Sequence, residues 1–143
     1  MQQFLSSEQE KNLLKAIENA ELKTSGEIKL HLESYCIFDP IMRAKRIFEK
    51  LEMHKTKQKN GVLIYIAVKS KKFAIIGDAG INDRVGQDFW NDTKEKMQAA
   101  FRNKNFYEGM LIAIENAGEK LSLHFPFQSD DKNELSNTIS FGN

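Results

Sequence analysis

The sequence has a single cysteine, Cys36, among 143 residues. One cysteine excludes an intrachain disulfide and a cysteine-built zinc cage, and its isolation fits a reducing compartment. Neither sign of charge is in excess: 21 Lys and Arg stand against 20 Asp and Glu, a formal net charge of +1. That balance argues against a nucleic-acid binder driven by bulk electrostatics. No apolar stretch approaches the ~20 residues needed to span a bilayer. The opening Met1-Gln2-Gln3-Phe4-Leu5-Ser6 lacks the basic cluster and apolar run of a signal peptide. These absences lead us to expect a soluble, cytoplasmic chain with no transmembrane segment. At this length a single domain can build a core without covalent staples.

What is there is organised around Val62–Val68, an unbroken apolar and β-branched run. Such a run suits a strand covered on both faces. The polar stretch Lys69–Lys72 and a second β-prone run, Phe73–Ile76, follow and end at Gly77-Asp78. Two such runs around a short polar turn predict a β-hairpin. Glu27–Tyr35 alternates, with Ile28, Leu30 and Leu32 on one side and Lys29, His31 and Glu33 on the other. The pattern predicts a strand covered on one side and lying toward the sheet edge, with His31 solvated.

Helices are expected around these strands. Residues 7–23 carry Leu13, Leu14, Ile17 and Ala20 at helical spacing, with Ser7 and Glu10 as a capping box. Asp39-Pro40 supplies an N-cap and a proline at the first helical position. The helix it opens buries Ile41, Ala44, Ile47, Phe48 and Leu51 and presents Arg43, Lys45, Arg46 and Lys50 on its other side. A third helix is expected over 84–102, with Val85, Phe89, Thr93, Met97, Ala100 and Phe101 as its stripe and Trp90 beside it. The last helix begins at Asn105, with Glu108 three residues on, and carries Met110, Leu111, Ile114, Ala117 and Leu121. Residues 1–127 then form one domain, and 128–143 form a polar, mobile tail with a weak contact at Phe141.

A right-handed crossover makes the first two strands parallel, and the hairpin makes the third antiparallel. The expected fold is an α/β/α sandwich on a small mixed sheet. This topology has a chemical consequence. Glu27 starts the first strand, Asn60-Gly61 starts the second and Asp78 ends the third, so all lie at one end of the sheet. Asp83 follows in the loop and Asp88 on the first turns of the next helix. Any one of these carboxylates alone reads as a turn residue, a helix cap or a surface group. As a set, oxygen donors from several segments suit a hard cation, calcium or magnesium. Glu27, Asp78, Asp83 and Asp88 are the candidate ligands, and Lys55, Lys57 and Lys59 form a basic rim beside them.

Several short stretches, taken in order, resemble the TPM domain family. They are Thr24-Ser25-Gly26-Glu27-Ile28, Lys57–Ile64, Ile75-Ile76-Gly77-Asp78 with Gly80-Ile81, and Phe89-Trp90. The likeness spans roughly residues 7–124. It implies an α/β/α sandwich, divalent-cation binding and, from plastid members, acid phosphatase activity and a part in photosystem repair. It also implies that Glu27 and Asp78 lie in the family's acidic cleft, with Asp83 and Asp88 as further candidates. Many members carry a signal peptide, a membrane helix and a glycine-rich tail, none of which is seen in this sequence.

Two functions are therefore expected as alternatives. One is a cation-binding module without catalysis, acting as an adaptor for a protein partner. The other is a metal-assisted phosphomonoesterase with Asp78 or Asp83 as base. No strong nucleophile setting is evident around Cys36, which favours the module. A third reading uses the basic face of the second helix to capture a partner.

Overall fold

The computed structural model describes residues 4–128 and 138–142. The elements run α1 (Ser7–Glu21), β1 (Glu27–Glu33), α2 (Pro40–Lys50), β2 (Gly61–Ala67), β3 (Lys72–Gly77), α3 (Ala79–Val85), α4 (Asn91–Arg102), α5 (Phe106–His124) and β4 (Ser140–Phe141). Short 3-10 turns cover Met53–Lys55 and Gln87–Trp90. The sheet order is β3-β2-β1-β4. β1 pairs in parallel with β2 and with β4, and β2 pairs antiparallel with β3. The expected mixed sheet between helical layers is therefore observed.

Every residue of β2 is buried, as its continuous apolar run requires of a central strand. On one face, α1, α4 and α5 pack through Leu13, Ile17, Met97, Met110, Ile114 and Leu121 onto Ile28, Leu30, Leu32, Ile64 and Ile66. Full burial of a side chain such as Leu13 or Ile17 stabilises by about 1.5–3 kcal/mol. On the other face, α2 lays Ala44, Ile47 and Phe48 over Leu63, Tyr65, Ala67 and Ala74. Two glycines of α5 permit close approach. A Cβ on Gly118 would lie 2.7 Å from Ala20 Cβ of α1, and one on Gly109 would lie 2.5 Å from Phe101 Cε1 of α4.

The structure departs from the sequence expectations in instructive places. The capping box of α1 sits one residue earlier: Ser6 Oγ accepts from the Gln9 amide, and the Gln9 side chain accepts from the Ser6 amide. The expected helix over 84–102 is interrupted. Gly86 adopts φ +82°, a left-handed conformation that ends α3, and a 3-10 turn intervenes before α4. Asn105 is the N-cap of α5 but makes no side-chain capping bond. Ile41, expected in the buried stripe of α2, is 45% exposed on that helix's first turn. β1 is not a half-solvated strand: all seven of its residues are buried, with β4 paired on its outer side and Arg43 of α2 bonded to Glu33. Part of the expected tail, residues 129–137, lies outside the described residues, whereas Ser140-Phe141 forms β4.

Candidate functional site

Two polar regions stand out, at different places on the sheet. The first is the rim where β1 and β2 begin and β3 ends. Glu27 is the register partner of Gly61 in β1–β2, and the Asp78 amide donates to Gly61 O at 3.0 Å. Glu27, Gly61 and Asp78 therefore stand abreast on one rim, as chain direction requires. At ordinary strand spacing the outer two are roughly 10 Å apart at Cα. Gly61 leaves room between them that Met53 fills, for a Cβ there would meet Met53 O at 3.2 Å and Met53 Cε at 3.7 Å.

Asp78 is the N-cap of α3, its Oδ1 accepting from the Ala79 amide at 2.8 Å. Its Oδ2 is buried and has no hydrogen-bond partner. Asn60, 1% exposed, is in the same condition: Nδ2 donates to Ser25 Oγ at 3.3 Å, while Oδ1 is buried and unpartnered. A buried acceptor without a donor costs about 1–3 kcal/mol, so two on one rim call for a physical account. The loop that carries Asn60 is fixed against α3. The Gly80 amide donates to Lys59 O at 2.9 Å, and a Cβ on Gly80 would collide with the carbonyl of Gln58. Trp90 Nε1, also buried and unpartnered, lies against Gly77 next to Asp78.

The other candidate carboxylates are more peripheral. Asp83 is exposed on α3, and Asp88 is exposed in the 3-10 turn, accepting from Asn91 Nδ2 at 3.4 Å. Among the described residues, no three His, Cys, Asp or Glu side chains form a group able to hold a metal ion. A cation here would need Asn60 Oδ1 beside Asp78 Oδ2, rather than carboxylates alone. That donor set, all oxygen, is of the kind calcium and magnesium take.

The second region was not legible as a site from sequence. Lys29, His31 and Glu33, read as a solvated face, are 8%, 5% and 0% exposed. Glu33 lies at the centre of a buried network. Tyr65 donates its hydroxyl to Glu33 Oε2 at 2.5 Å. Arg43 of α2 donates Nε to both carboxylate oxygens, at 3.1 and 3.2 Å, and Nη2 to Oε1. His31 Nε2 lies 3.1 Å from Oε1. Burial alone would raise the Glu33 carboxyl, but the bonds from Arg43, Tyr65 and His31 outweigh it and hold it below the usual carboxylate range. Burial pushes the Tyr65 hydroxyl up, reinforced by its bond to Glu33.

Burial likewise lowers His31 below its ordinary value, against the opposing pull of Glu33, which favours neutral imidazole. A carboxylate can only accept, so Nε2 carries the proton toward Glu33 and Nδ1 accepts from Ser140 Oγ at 2.8 Å. The imidazole stacks on the Tyr65 ring at 5.9 Å between centroids and 12° between planes. β4 closes the region. Lys29 Nζ donates to Thr138 Oγ1 at 3.3 Å, and the Gly142 amide donates to Leu32 O at 2.9 Å. A Cβ on Gly142 would run into the Glu33 carboxylate. Buried at Glu33, Tyr65, His31 and Lys29, this network joins β1, β2, α2 and β4.

Comparison with known proteins fits this architecture. The family model of the TPM domain matches residues 1–120. The NMR structure of BA42 protein from the psychrophilic bacterium Bizionia argentinensis is 48% identical, aligned over 99% of this chain and 98% of its own, with a TM-score of 0.93. The solution NMR structure of the N-terminal domain of cg2496 protein from Corynebacterium glutamicum shares the fold at 14% identity, over 95% of this chain and 80% of its own, with a TM-score of 0.65. None of the curated proteins matches.

Proposed function

This chain belongs to the TPM domain family, and from that premise we propose that it is a binding module for a divalent cation, calcium or magnesium, without catalysis of its own. The observation that carries the reading is the pair of buried, unpartnered oxygens, Asn60 Oδ1 and Asp78 Oδ2, at one end of the sheet. A hard cation within reach of both would satisfy the two acceptors and offset the carboxylate charge of the rim. Asp78 and Asn60 are the proposed inner ligands. Asp83 and Asp88 add negative field from the following segment, and Glu27 adds it from the neighbouring strand. The dual use of Asp78, one oxygen capping α3 and the other directed to the ion, would link ion binding to the set of α3 and of the Gln58–Asn60 loop. That linkage is how the module would report the ion to a protein partner.

Calorimetric titration of the chain with calcium and with magnesium tests the reading. Saturable binding that is lost in Asp78→Asn and in Asn60→Ala is expected. No binding of either ion at millimolar concentration, or binding unchanged by both substitutions, would overturn it. Ion-dependent turnover of a phosphomonoester, abolished by Asp78→Asn, would instead establish the metal-assisted phosphatase.

A further inference from the structure

Nine large apolar side chains are exposed among the described residues, and five of them, Tyr35, Ile37, Phe38, Ile41 and Met42, come from one eight-residue stretch between β1 and the first turn of α2. Ile37 and Phe38 are 83% and 78% exposed, values of a protruding tip rather than of groove walls. The stretch lies at the end of the sheet opposite Asn60 and Asp78.

It is also held in place. The Cys36 amide donates to Ser70 Oγ at 2.9 Å, and Lys69 N donates to Ser34 O at 2.8 Å. Lys72 Nζ donates to the carbonyls of Ile37 and Phe38, at 3.4 and 3.2 Å. The β1–α2 loop and the β2–β3 turn thus form one surface. Its charge is one-sided. Residues 34–48 and 68–77 contain Arg43, Lys45, Arg46, Lys69, Lys71 and Lys72 but one acid, Asp39. Asp39 is occupied as the N-cap of α2, Arg43 is paired with Glu33, and Lys45 lies farther along the sheet beside Gly77, which leaves Arg46, Lys69 and Lys71 exposed around the stretch. A whole-chain charge of +1 conceals this concentration at one end.

We propose that this end of the molecule docks peripherally on an anionic phospholipid surface, with Ile37, Phe38, Ile41 and Met42 entering the headgroup–acyl boundary and the flanking Arg and Lys meeting the lipid phosphates. A contiguous exposed apolar patch marks an interaction surface, and charge complementarity selects its partner. Lysine is depleted at protein–protein interfaces, whereas clusters of Lys and Arg beside apolar groups are the signature of attachment to an anionic leaflet. A largely apolar depression of about 240 Å³ lined by Phe38, Met42, Arg43 and Arg46 lies beside the tip. Arg43 is committed to Glu33, and the Arg46 guanidinium is left to meet a lipid phosphate. No helix among the described residues is long and apolar enough to cross a membrane, so the attachment is to the surface.

Co-sedimentation with vesicles tests the proposal, with chelator present so that no cation bridges protein and lipid. Phosphatidylcholine vesicles containing phosphatidylglycerol should bind the chain, and phosphatidylcholine alone should not. Replacing Arg46, Lys69 and Lys71 by Gln should weaken binding roughly a hundredfold, at about fivefold per cation near an anionic leaflet. Phe38→Ser should weaken it as well. Because Phe38 is exposed, Phe38→Trp should fold normally, shift its emission to the blue on anionic vesicles and be quenched by brominated acyl chains. Absence of binding to anionic vesicles overturns the proposal. So does sedimentation without acyl-chain quenching, or a dimer lost in Phe38→Ser with no vesicle binding. Capture of an acidic polypeptide in place of vesicles also overturns it, in favour of a protein partner.

Discussion

Removing one hydroxyl from the buried network should be costly, and Tyr65→Phe is the cleanest way to do it. Tyr65 and Glu33 are both 0% exposed, and the ring stays to fill its space, so no large cavity forms. The lost bond is the 2.5 Å contact to Glu33 Oε2, after which that oxygen keeps the Arg43 Nε contact at 3.2 Å. Hydrogen bonds to charged groups contribute about 1.5–3 kcal/mol, so a loss of about 2 kcal/mol is expected. At an m-value of about 2 kcal/mol/M, the urea midpoint should fall by about 1 M with the slope unchanged. The substitution should also move acid unfolding. Glu33 titrates below its ordinary range in the folded chain, so its contribution is present above the unfolded carboxylate pKa and disappears as pH falls through the folded value. Without the Tyr65 donor the folded value rises, and the acid transition should begin at higher pH. A double-mutant cycle with Glu33→Gln isolates the pair, with a coupling of about 1 kcal/mol or more expected. A midpoint within about 0.25 M of the parent chain, together with an unmoved acid transition, would refute the view that this bond organises the α2 face.

Other perturbations follow the same physics. His31 is held neutral by burial and lies below its ordinary pKa, so the unfolded chain binds more protons there and stability should drop as pH falls below about 6.5. Urea unfolding across that range should show the slope, and His31→Gln should flatten it. Gly118→Ala places a methyl 2.7 Å from Ala20 Cβ and should cost about 1–3 kcal/mol through overpacking of α1 on α5, read as a lowered melting temperature. Gly142→Ala would press a methyl into the Glu33 carboxylate. It should release β4, and faster amide exchange at Phe141 and Gly142 would show it. Asp78→Ala removes the cap of α3 and should cost about 1 kcal/mol, which calorimetry in the absence of metal would measure.

The fold was largely readable because its signals are local. The apolar run over Val62–Val68, the polar Lys69–Lys72 turn and the Asp39-Pro40 start of α2 each specify their own element. With a right-handed crossover they leave little choice of topology. The rim was readable for the same reason: chain direction alone sets Glu27 and Asp78 abreast of Gly61. What failed depends on distant neighbours. Lys29, His31 and Glu33 alternate with apolar residues as a solvated face would, yet are buried with partners distant in sequence: Thr138 for Lys29, Ser140 of β4 for His31 and Arg43 of α2 for Glu33. One signal was available. Tyr65 stands in an otherwise aliphatic strand, and a buried tyrosine hydroxyl needs a partner, which Glu33 supplies. Gly86 similarly gave notice of the break before α4, although a helical stripe ran across it.

The ion site is tested most directly by following backbone amide resonances while calcium or magnesium is added. Shifts centred on Gln58–Gly61 and on Asp78 and α3 at millimolar metal, absent from Asp78→Asn, are the expected result. A spectrum unmoved at those amides, or one whose changes fall elsewhere, would contradict the reading of the two unpartnered oxygens as cation ligands.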